Sequence, residues 1–283
     1  MIDLDIFGNE SERVYKEAKI YLDSPLNYTG SKYRLIEILN SNYPKDIKVM
    51  YDVFCGGGSV FANSPFEIII ANDIITPLVQ FYKEIQNRNW DDLIADVKSK
   101  NLDPSDKDGY LSLRERFNKT FNPVDFFILC CTCQNNMMRF NKKFQFNQTW
   151  GNRHFNKRTE EKLRGYHGRI FGNKNITFIN HNFYDIQIED NSFVYLDPPY
   201  LITSAGYNTY WLKDHEAKLY DFVDSLNARN IKFMLSNVSK HKGRINPHMD
   251  RMQKYNIKEI VFDYDKVSRA GNSDSTEILV MNY

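Results

Sequence analysis

The stretch "VMYDVFCGGGSV" constrains the fold of this chain more than any other. From Val49 to Phe54 every residue except Asp52 is apolar, aromatic or β-branched, which fits a buried strand. Gly56, Gly57 and Gly58 follow almost at once. Glycine lets a backbone take positive φ and approach a ligand closely. A second apolar run, "EIIIAND", closes on Asp73. "TPLVQFYKEI" then reads as a helix with Thr76 as its cap and Pro77 at its first position. Strand, glycine turn, helix, strand, helix is how a doubly wound parallel α/β sheet begins.

The middle of the chain breaks that alternation. "DDLIADVKSK", "GYLSLRERF" and "PVDFFILCC" have helical character, and a basic stretch without strand signals follows them. Strands return from about Ile176 with "ITFI", "FVYL", "IKFMLS", "IKEIVF" and "TEILVMN", and a helix is expected near His215–Ala228. The expected organisation is one sheet domain in two parts, residues 1–87 and 173–283, interrupted by a mainly helical insertion over 88–172. Residues 1–24 are an extension with no assigned role, and the polar segment from Lys240 to Asn256 reads as a loop or mobile element.

The net charge of the 283 residues is only +1, but its distribution is uneven. Ten Lys/Arg and two acids lie between Arg139 and Lys174, with Phe140, Phe144, Trp150 and Phe155 among them. Cations for phosphates, with flat or amide groups for bases, make a nucleic-acid surface; a solvated basic helical face is the competing reading. The N-terminal "MIDLDIFGNESERVYKEAK" is acidic and lacks an apolar signal core. No apolar run approaches the roughly 20 residues of a membrane span, so a cytoplasmic protein without membrane contact is expected. Cys130, Cys131 and Cys133 sit in an apolar run with no Cys/His pair at zinc spacing. Core thiols and no metal site are expected there. His154, His167 and His181 are scattered and read as surface or nucleic-acid contacts rather than catalytic groups.

Two acids stand at strand ends. Asp73 follows Asp52 by 21 residues, the spacing at which a carboxylate meets a ribose diol in dinucleotide sites. A nicotinamide cofactor is therefore one reading. Against it, Phe61 stands where the third glycine of G-x-G-x-x-G would fall. The other acid is Asp197 in "FVYLDPPYLI". Pro198 and Pro199 cannot continue a ladder, so the strand ends at a stiff corner that presents Asp197 and Tyr200.

"YTGSK" (Tyr28–Lys32), "DVFCGGGSV", "AND" and "DPPY", in this order, resemble the Dam-type DNA adenine-N6 methyltransferases of the D12 class, α group, and especially their short phage members. The likeness runs from about Leu26 to the C-terminus. It implies a Rossmann-like sheet with helices on both faces, dependent on S-adenosylmethionine, that yields S-adenosylhomocysteine as product. It implies a target-recognition domain in the insertion and double-stranded DNA as partner, with no obligate protein partner evident. Tyr28 and Lys32 match the family's N-terminal cofactor motif, and Phe54, Gly56 and Gly58 would line the amino-acid end. Asp73 would accept both ribose hydroxyls, Ile74 would cover the adenine, and Asn182 and Phe183 stand where an adenine contact and a stacking aromatic belong. Ordinary core is the other reading of Phe183.

"NNMMRFN" (Asn135–Asn141) and "TWGNR" (Thr149–Arg153) match the region that reads the DNA site, which brings in Asn136, Met137 and Asn141. Arg139 falls where relatives place an arginine on guanine, and arginine binds guanine O6 and N7 bidentately. Arg153 is a further base or phosphate contact. Thr149 replaces the usual proline. The family's usual site is GATC, methylated on its adenine.

The chemistry suits these residues. The exocyclic amine of adenine has a delocalised lone pair and is unreachable within the stack, so the base must be flipped out. The Asp197 carboxylate and the Pro198 carbonyl can accept its two N–H bonds and turn the lone pair toward the methyl group, with Pro199 stiffening the corner. Tyr200 can stack on the flipped base, and Tyr207 is a second aromatic candidate. Cytosine N4 methylation on the same scaffold and a non-catalytic DNA binder are the competing functions.

Overall fold

The computed structural model describes residues 21–141, 143–203, 211, 213–260 and 275–283. The chain enters the sheet through α1 (Ile36–Asn42) and β1 (Val49–Asp52). The glycine turn leads to α2 (Ser59–Asn63), β2 (Ile68–Asn72) and α3 (Thr76–Asn87). Four helices follow, α4 (Trp90–Ser99), α5 (Lys107–Thr120), α6 (Pro123–Thr132) and α7 (Lys157–Ile170). Then come β3 (Ile176–Ile179), β4 (Ser192–Leu196), α8 (Lys213–Ala228), β5 (Lys232–His241), β6 (Arg244–Ile245), α9 (Met249–Met252), β7 (Asn256–Ile260) and β8 (Ser275–Met281).

Every apolar run read as a strand contains one. The sheet order is β3-β2-β1-β4-β5-β8-β7, with β6 paired to β5. The first five strands are parallel, and β8 lies antiparallel between β5 and β7. Progress through the sheet reverses between β1 and β4, so a crevice opens beyond the carboxyl ends of these two strands. β4 is buried on both faces, as a central parallel strand must be. Phe193 and Tyr195 face one core, with Leu39 and Phe61; Val194 and Leu196 face the other, with Leu219 and Val223.

Two local expectations are corrected. Thr76 is the first helical residue of α3, not its cap: Ile75 holds the cap position, and the Thr76 hydroxyl donates to Asn180 Oδ1 at 2.8 Å. Pro77 accordingly sits one position further in. The Lys240–Asn256 segment is not a loop. β5 runs on to His241, a two-residue turn at Lys242 and Gly243 with positive φ reverses it into β6, and α9 follows. Asn246 and Met252 are buried there, so this polar stretch is anchored by a few inward side chains.

The four helices from Trp90 to Ile170 each start with a side-chain cap. Asn89, Asp106, Asn122 and Asn156 accept from backbone N–H groups of the first turn. α6 carries the apolar run with Cys130 and Cys131, and Cys133 follows as its C-cap; all three are buried. It lies on α3, where the rings of Phe81 and Phe127 stack with centroids 4.7 Å apart. α7 reaches the first sheet helices through Tyr166 against Phe61, and the His167 ring bonds the Arg88 carbonyl at 2.9 Å. The helices and this face of the sheet therefore share one core. Between α6 and α7 the chain makes a narrow hairpin-like excursion with antiparallel bridges Cys133 to Trp150 and Phe140 to Phe146. Asn118 of α5 fixes it through both the N–H and the carbonyl of Phe146.

Candidate active site

The parallel register sets three strand ends level. Asp52 of β1 pairs with Ala71 of β2 and with Tyr195 of β4. Two residues further along each chain stand Phe54, Asp73 and Asp197, just past the carboxyl edge of the sheet. They frame a cavity of about 970 Å³.

The glycine turn forms one wall. The Gly58 N–H donates to the Cys55 carbonyl at 2.8 Å. A Cβ on Gly57 would lie 2.6 Å from Tyr28 Cβ, so the segment carrying Tyr28 packs directly on the turn. Gly58 has φ +81° and caps α2, and a Cβ there would meet Phe61 at 2.7 Å. Buried Tyr82 donates to the Gly56 carbonyl at 2.7 Å and Ser24 donates to the Gly57 carbonyl, which fixes the turn from beneath.

Asp73 is held by the same turn. Its Oδ2 accepts from the Gly56 N–H and its Oδ1 from the Ile75 N–H, both at 2.9 Å. Each oxygen keeps lone-pair capacity for a further donor. Burial pushes this carboxyl up to about 6, with the two N–H groups working against the rise. Next to it Ile74 is 52% exposed and lines the cavity. Asn72 donates to the carbonyls of Val53 and His181 and accepts from the His181 N–H, tying the end of β2 to the turn that carries Asn182 and Phe183.

At the end of β4 the stiff corner holds an ion pair. Lys32 Nζ lies 2.7 Å from Asp197 Oδ1, with side chains 6% and 17% exposed. The Tyr200 hydroxyl donates to the same oxygen at 3.1 Å, and Lys32 Nζ is 5.1 Å from the centre of the Tyr200 ring. Burial raises the Asp197 carboxyl above its ordinary range, and the Lys32 ammonium and Tyr200 hydroxyl oppose that rise. Burial, then the Asp197 charge, lifts the Tyr200 phenol well above its usual value, so it remains a donor.

All the residues assigned to catalysis and cofactor from the sequence line this one cavity: Tyr28, Lys32, Phe54, Gly56, Gly58, Asp73, Ile74, Asn182, Phe183, Asp197, Pro198, Pro199 and Tyr200. Sequence reasoning gave no role to Trp211, which lines the cavity, or to Asp52, which does not. Trp211 lines the cavity with its ring 5.7 Å from Phe54 and 5.6 Å from Phe183, and its indole N–H donates to Glu216. It lies in no motif, and only the fold brings it to the site. Asp52 is fully buried, and neither of its carboxylate oxygens has a hydrogen-bond partner among the described residues. Burial, and then the nearby Asp197 charge, raises it well above the usual carboxylate range.

The residues assigned to DNA are divided. Met137 and Arg139 line the same cavity as Asp197. Arg139 lies on the hairpin, where its guanidinium donates to the Asn147 carbonyl at 2.7 Å and to Asn147 Oδ1 at 3.1 Å. Asn136, Asn141 and Arg153 do not line it. Asn136 caps the end of α6 by donating to the carbonyls of Cys130 and Cys131, and its Oδ1 accepts from Arg153 at 2.8 Å. Asn141 closes the hairpin tip through the N–H groups of Lys143 and Gln145. Tyr207 lies outside the described residues. Among the described residues no group of His, Cys, Asp and Glu could hold a metal ion, and no helix is long and apolar enough to cross a membrane.

A glycine turn, a strand-end acid and an acid–aromatic corner stand together at the switch point of a mostly parallel, Rossmann-like sheet, where such folds hold their ligands. The chain belongs to the D12 class N6 adenine-specific DNA methyltransferase family, which it matches over residues 28–265. It is 32% identical over 284 residues to modification methylase StsI of Streptococcus sanguinis, which covers 94% of this chain and 43% of that protein. It is likewise 32% identical over 280 residues to type II methyltransferase M.FokI of Planomicrobium okeanokoites, covering 93% of this chain and 43% of that one. The chain thus spans less than half the length of these two relatives. Type II methyltransferase M.MjaIII of Methanocaldococcus jannaschii is 28% identical over 289 residues, 91% of this chain and 98% of its own.

Proposed function

We propose that this chain transfers a methyl group from S-adenosylmethionine to N6 of an adenine flipped out of double-stranded DNA, within a short site of the GATC type. The observation that carries this reading is the convergence on one cavity of the Lys32–Asp197–Tyr200 corner, the glycine turn with Asp73, and Arg139 of the basic hairpin. The helical segment 88–172 is the target-recognition domain on this reading, with Arg139 as its guanine contact.

The residues present fit the cofactor. Asp73 offers two oxygens already aimed by backbone N–H groups, which suits a ribose diol. Ile74 offers an exposed apolar surface for an adenine face. The Lys32–Asp197 pair presents a cation beside an anion, the complement of an amino-acid zwitterion. S-adenosylmethionine supplies a methyl group activated by its sulfonium. Asp197 and the Pro198 carbonyl orient the target amine by accepting its N–H bonds, and the Tyr200 ring covers the base face. Methylation leaves the nitrogen with one proton too many. Asp197 lies beside that amine on this reading and is the nearest carboxylate to receive the proton, directly or through solvent.

The test is transfer of a labelled methyl group to GATC-containing and scrambled duplexes, followed by digestion to nucleosides. N6-methyladenosine as the sole methylated nucleoside is expected. N4-methylcytosine would replace this reading with the cytosine one, and tight DNA binding without transfer would replace it with a binding protein. Asp197→Asn keeps the size of the side chain and removes the charge, so transfer should fall by at least about 1,000-fold. Activity within about tenfold of the unaltered chain would remove Asp197 from the chemistry.

A further inference from the structure

β4 and β5 stop at different heights. Leu196 ends β4 opposite Leu235, and the Asp197 corner follows at once. β5 continues through Ser236 to His241 and turns back into β6, where Lys240 pairs with Ile245. At about 3.3 Å per residue, less the bulge between Val238 and Lys240, that pair stands about 15 Å beyond Leu235. β8 still flanks β5 at Lys240 and His241, so β6 takes the edge that β4 has left. The β5–β6 hairpin therefore stands outward of the Asp197 corner along the same edge, and His241 lines the cavity.

This hairpin is both stiff and basic. Its turn holds Lys242 at φ +49° and Gly243 at φ +76°. Two positive φ values make the tight two-residue turn whose first place asparagine fills more cheaply than lysine. Beneath it the Asn246 side chain, 1% exposed, donates to the Val238 carbonyl at 3.2 Å, and the Asn246 N–H donates to the Ser239 carbonyl at 2.9 Å. From Ser236 to Pro247 the chain has Lys240, Lys242 and Arg244 and no acid. Lys242 and Arg244 are exposed, and neither pairs with an acid among the described residues. A strained lysine and an arginine on a stiff arm beside a site point to an anion outside the chain.

We infer that Lys242 and Arg244 bind the backbone phosphates on either side of the target adenine. This rests on the DNA adenine-methylation reading above. The two hairpins reach the cavity from different sides. The one between α6 and α7 leaves α6, which packs on α3, and its Asn135 carbonyl accepts from Asn27, next to Tyr28. The β5–β6 hairpin comes from beyond β4, on the other side of the acid corner. A base swung into the cavity brings its own sugar and phosphates to the rim between them. Cations there read no sequence; they neutralise the backbone of the strand that must be distorted. The arm thus supplies affinity rather than site preference.

The experiment measures duplex affinity across a salt series for the unaltered chain and two double variants, Lys242→Gln with Arg244→Gln and Lys242→Arg with Arg244→Lys. The glutamine pair should bind about tenfold or more weakly at about 0.1 M salt, by the same factor on GATC-containing and scrambled duplexes. The slope of log affinity against log salt should shrink by about 2. The charge-keeping pair should stay within about threefold of the unaltered chain. Melting temperature and S-adenosylhomocysteine affinity should not move in either variant. A neutral methylphosphonate on each side of the target adenine should weaken the unaltered chain and leave the glutamine pair unchanged. An unchanged salt slope, a loss confined to GATC duplexes, or equal weakening of both chains by the methylphosphonates would overturn the phosphate arm. An unaltered chain that methylates no adenine would remove the functional reading itself, whereas an active chain indifferent to the glutamine pair would remove the arm alone.

Discussion

On the proposed reading Asp73 carries two demands that conflict, and the conflict can be measured. Burial raises its carboxyl from 3.8 to about 6 in the ligand-free chain. That gap is worth about 3 kcal/mol, because each pKa unit is 1.36 kcal/mol. The sign follows from the direction. A folded form with the higher pKa holds its proton where the unfolded chain has already released it. The contribution to stability is therefore complete below pH 3.8 and is lost as pH rises through 6. A ribose diol, by contrast, needs the ionised carboxylate as acceptor. Cofactor binding should release the proton, so affinity should be level above about pH 7 and fall about tenfold by pH 5, where only about one Asp73 in eleven is ionised. Calorimetric titration with S-adenosylhomocysteine from pH 5 to 8 reads this directly. Asp73→Asn serves as the reference, because it retains any pH dependence that comes from Asp197. A flat profile in the unaltered chain, an affinity that rises on acidification, or the same slope in Asp73→Asn would refute the reasoning.

Three further outcomes follow from the packing and the hairpin. In Gly57→Ala the new Cβ meets Tyr28 Cβ at 2.6 Å, an atom too close to the backbone to swing away. This should cost about 1–3 kcal/mol, seen as a lower melting temperature with weakened S-adenosylhomocysteine binding, and unchanged values would show that the two segments do not pack as described. Phe127→Ala removes a ring stacked on Phe81 and should cost about 3–5 kcal/mol while calorimetry still shows one cooperative transition; two separated transitions would mean that the helices melt apart from the sheet. Arg139→Ala should relax discrimination at one guanine by about 1–3 kcal/mol in competition between duplexes that differ at that base, and an unchanged site preference would count against the contact.

Much of the fold can be read from the sequence, because buried parallel strands leave short apolar runs that no other element explains as well. "FVYL" and "IIIA" are of that kind, and both faces of β4 are covered. What periodicity does not carry is pairing. β8 lies between β5 and β7 by antiparallel ladder bonds, and an apolar run does not state which neighbour it will find. The same limit explains the Lys240–Asn256 segment, where polar composition outweighed the two buried side chains that pin it.

The site divides along a similar line. Phe54, Asp73 and Asp197 were legible because each closes a strand, and parallel register brings strand ends level whatever the intervening chain does. Trp211 reaches the cavity only through the packing that follows β4, and Asp52, though the one acid of its apolar run, shows its missing partners only in the structure. For Asn136 and Asn141 the residue type was legible, but their bonds within the chain were not. An amide that could meet a base edge can equally close a helix or a turn, and here the side chains hold α6 and the hairpin tip. On the proposed reading Arg139 reads a guanine, and its two bonds to Asn147 would then be exchanged for guanine edges. An exchange of like for like changes the net hydrogen-bond energy little, so Arg139 gains discrimination only against bases that cannot replace both bonds.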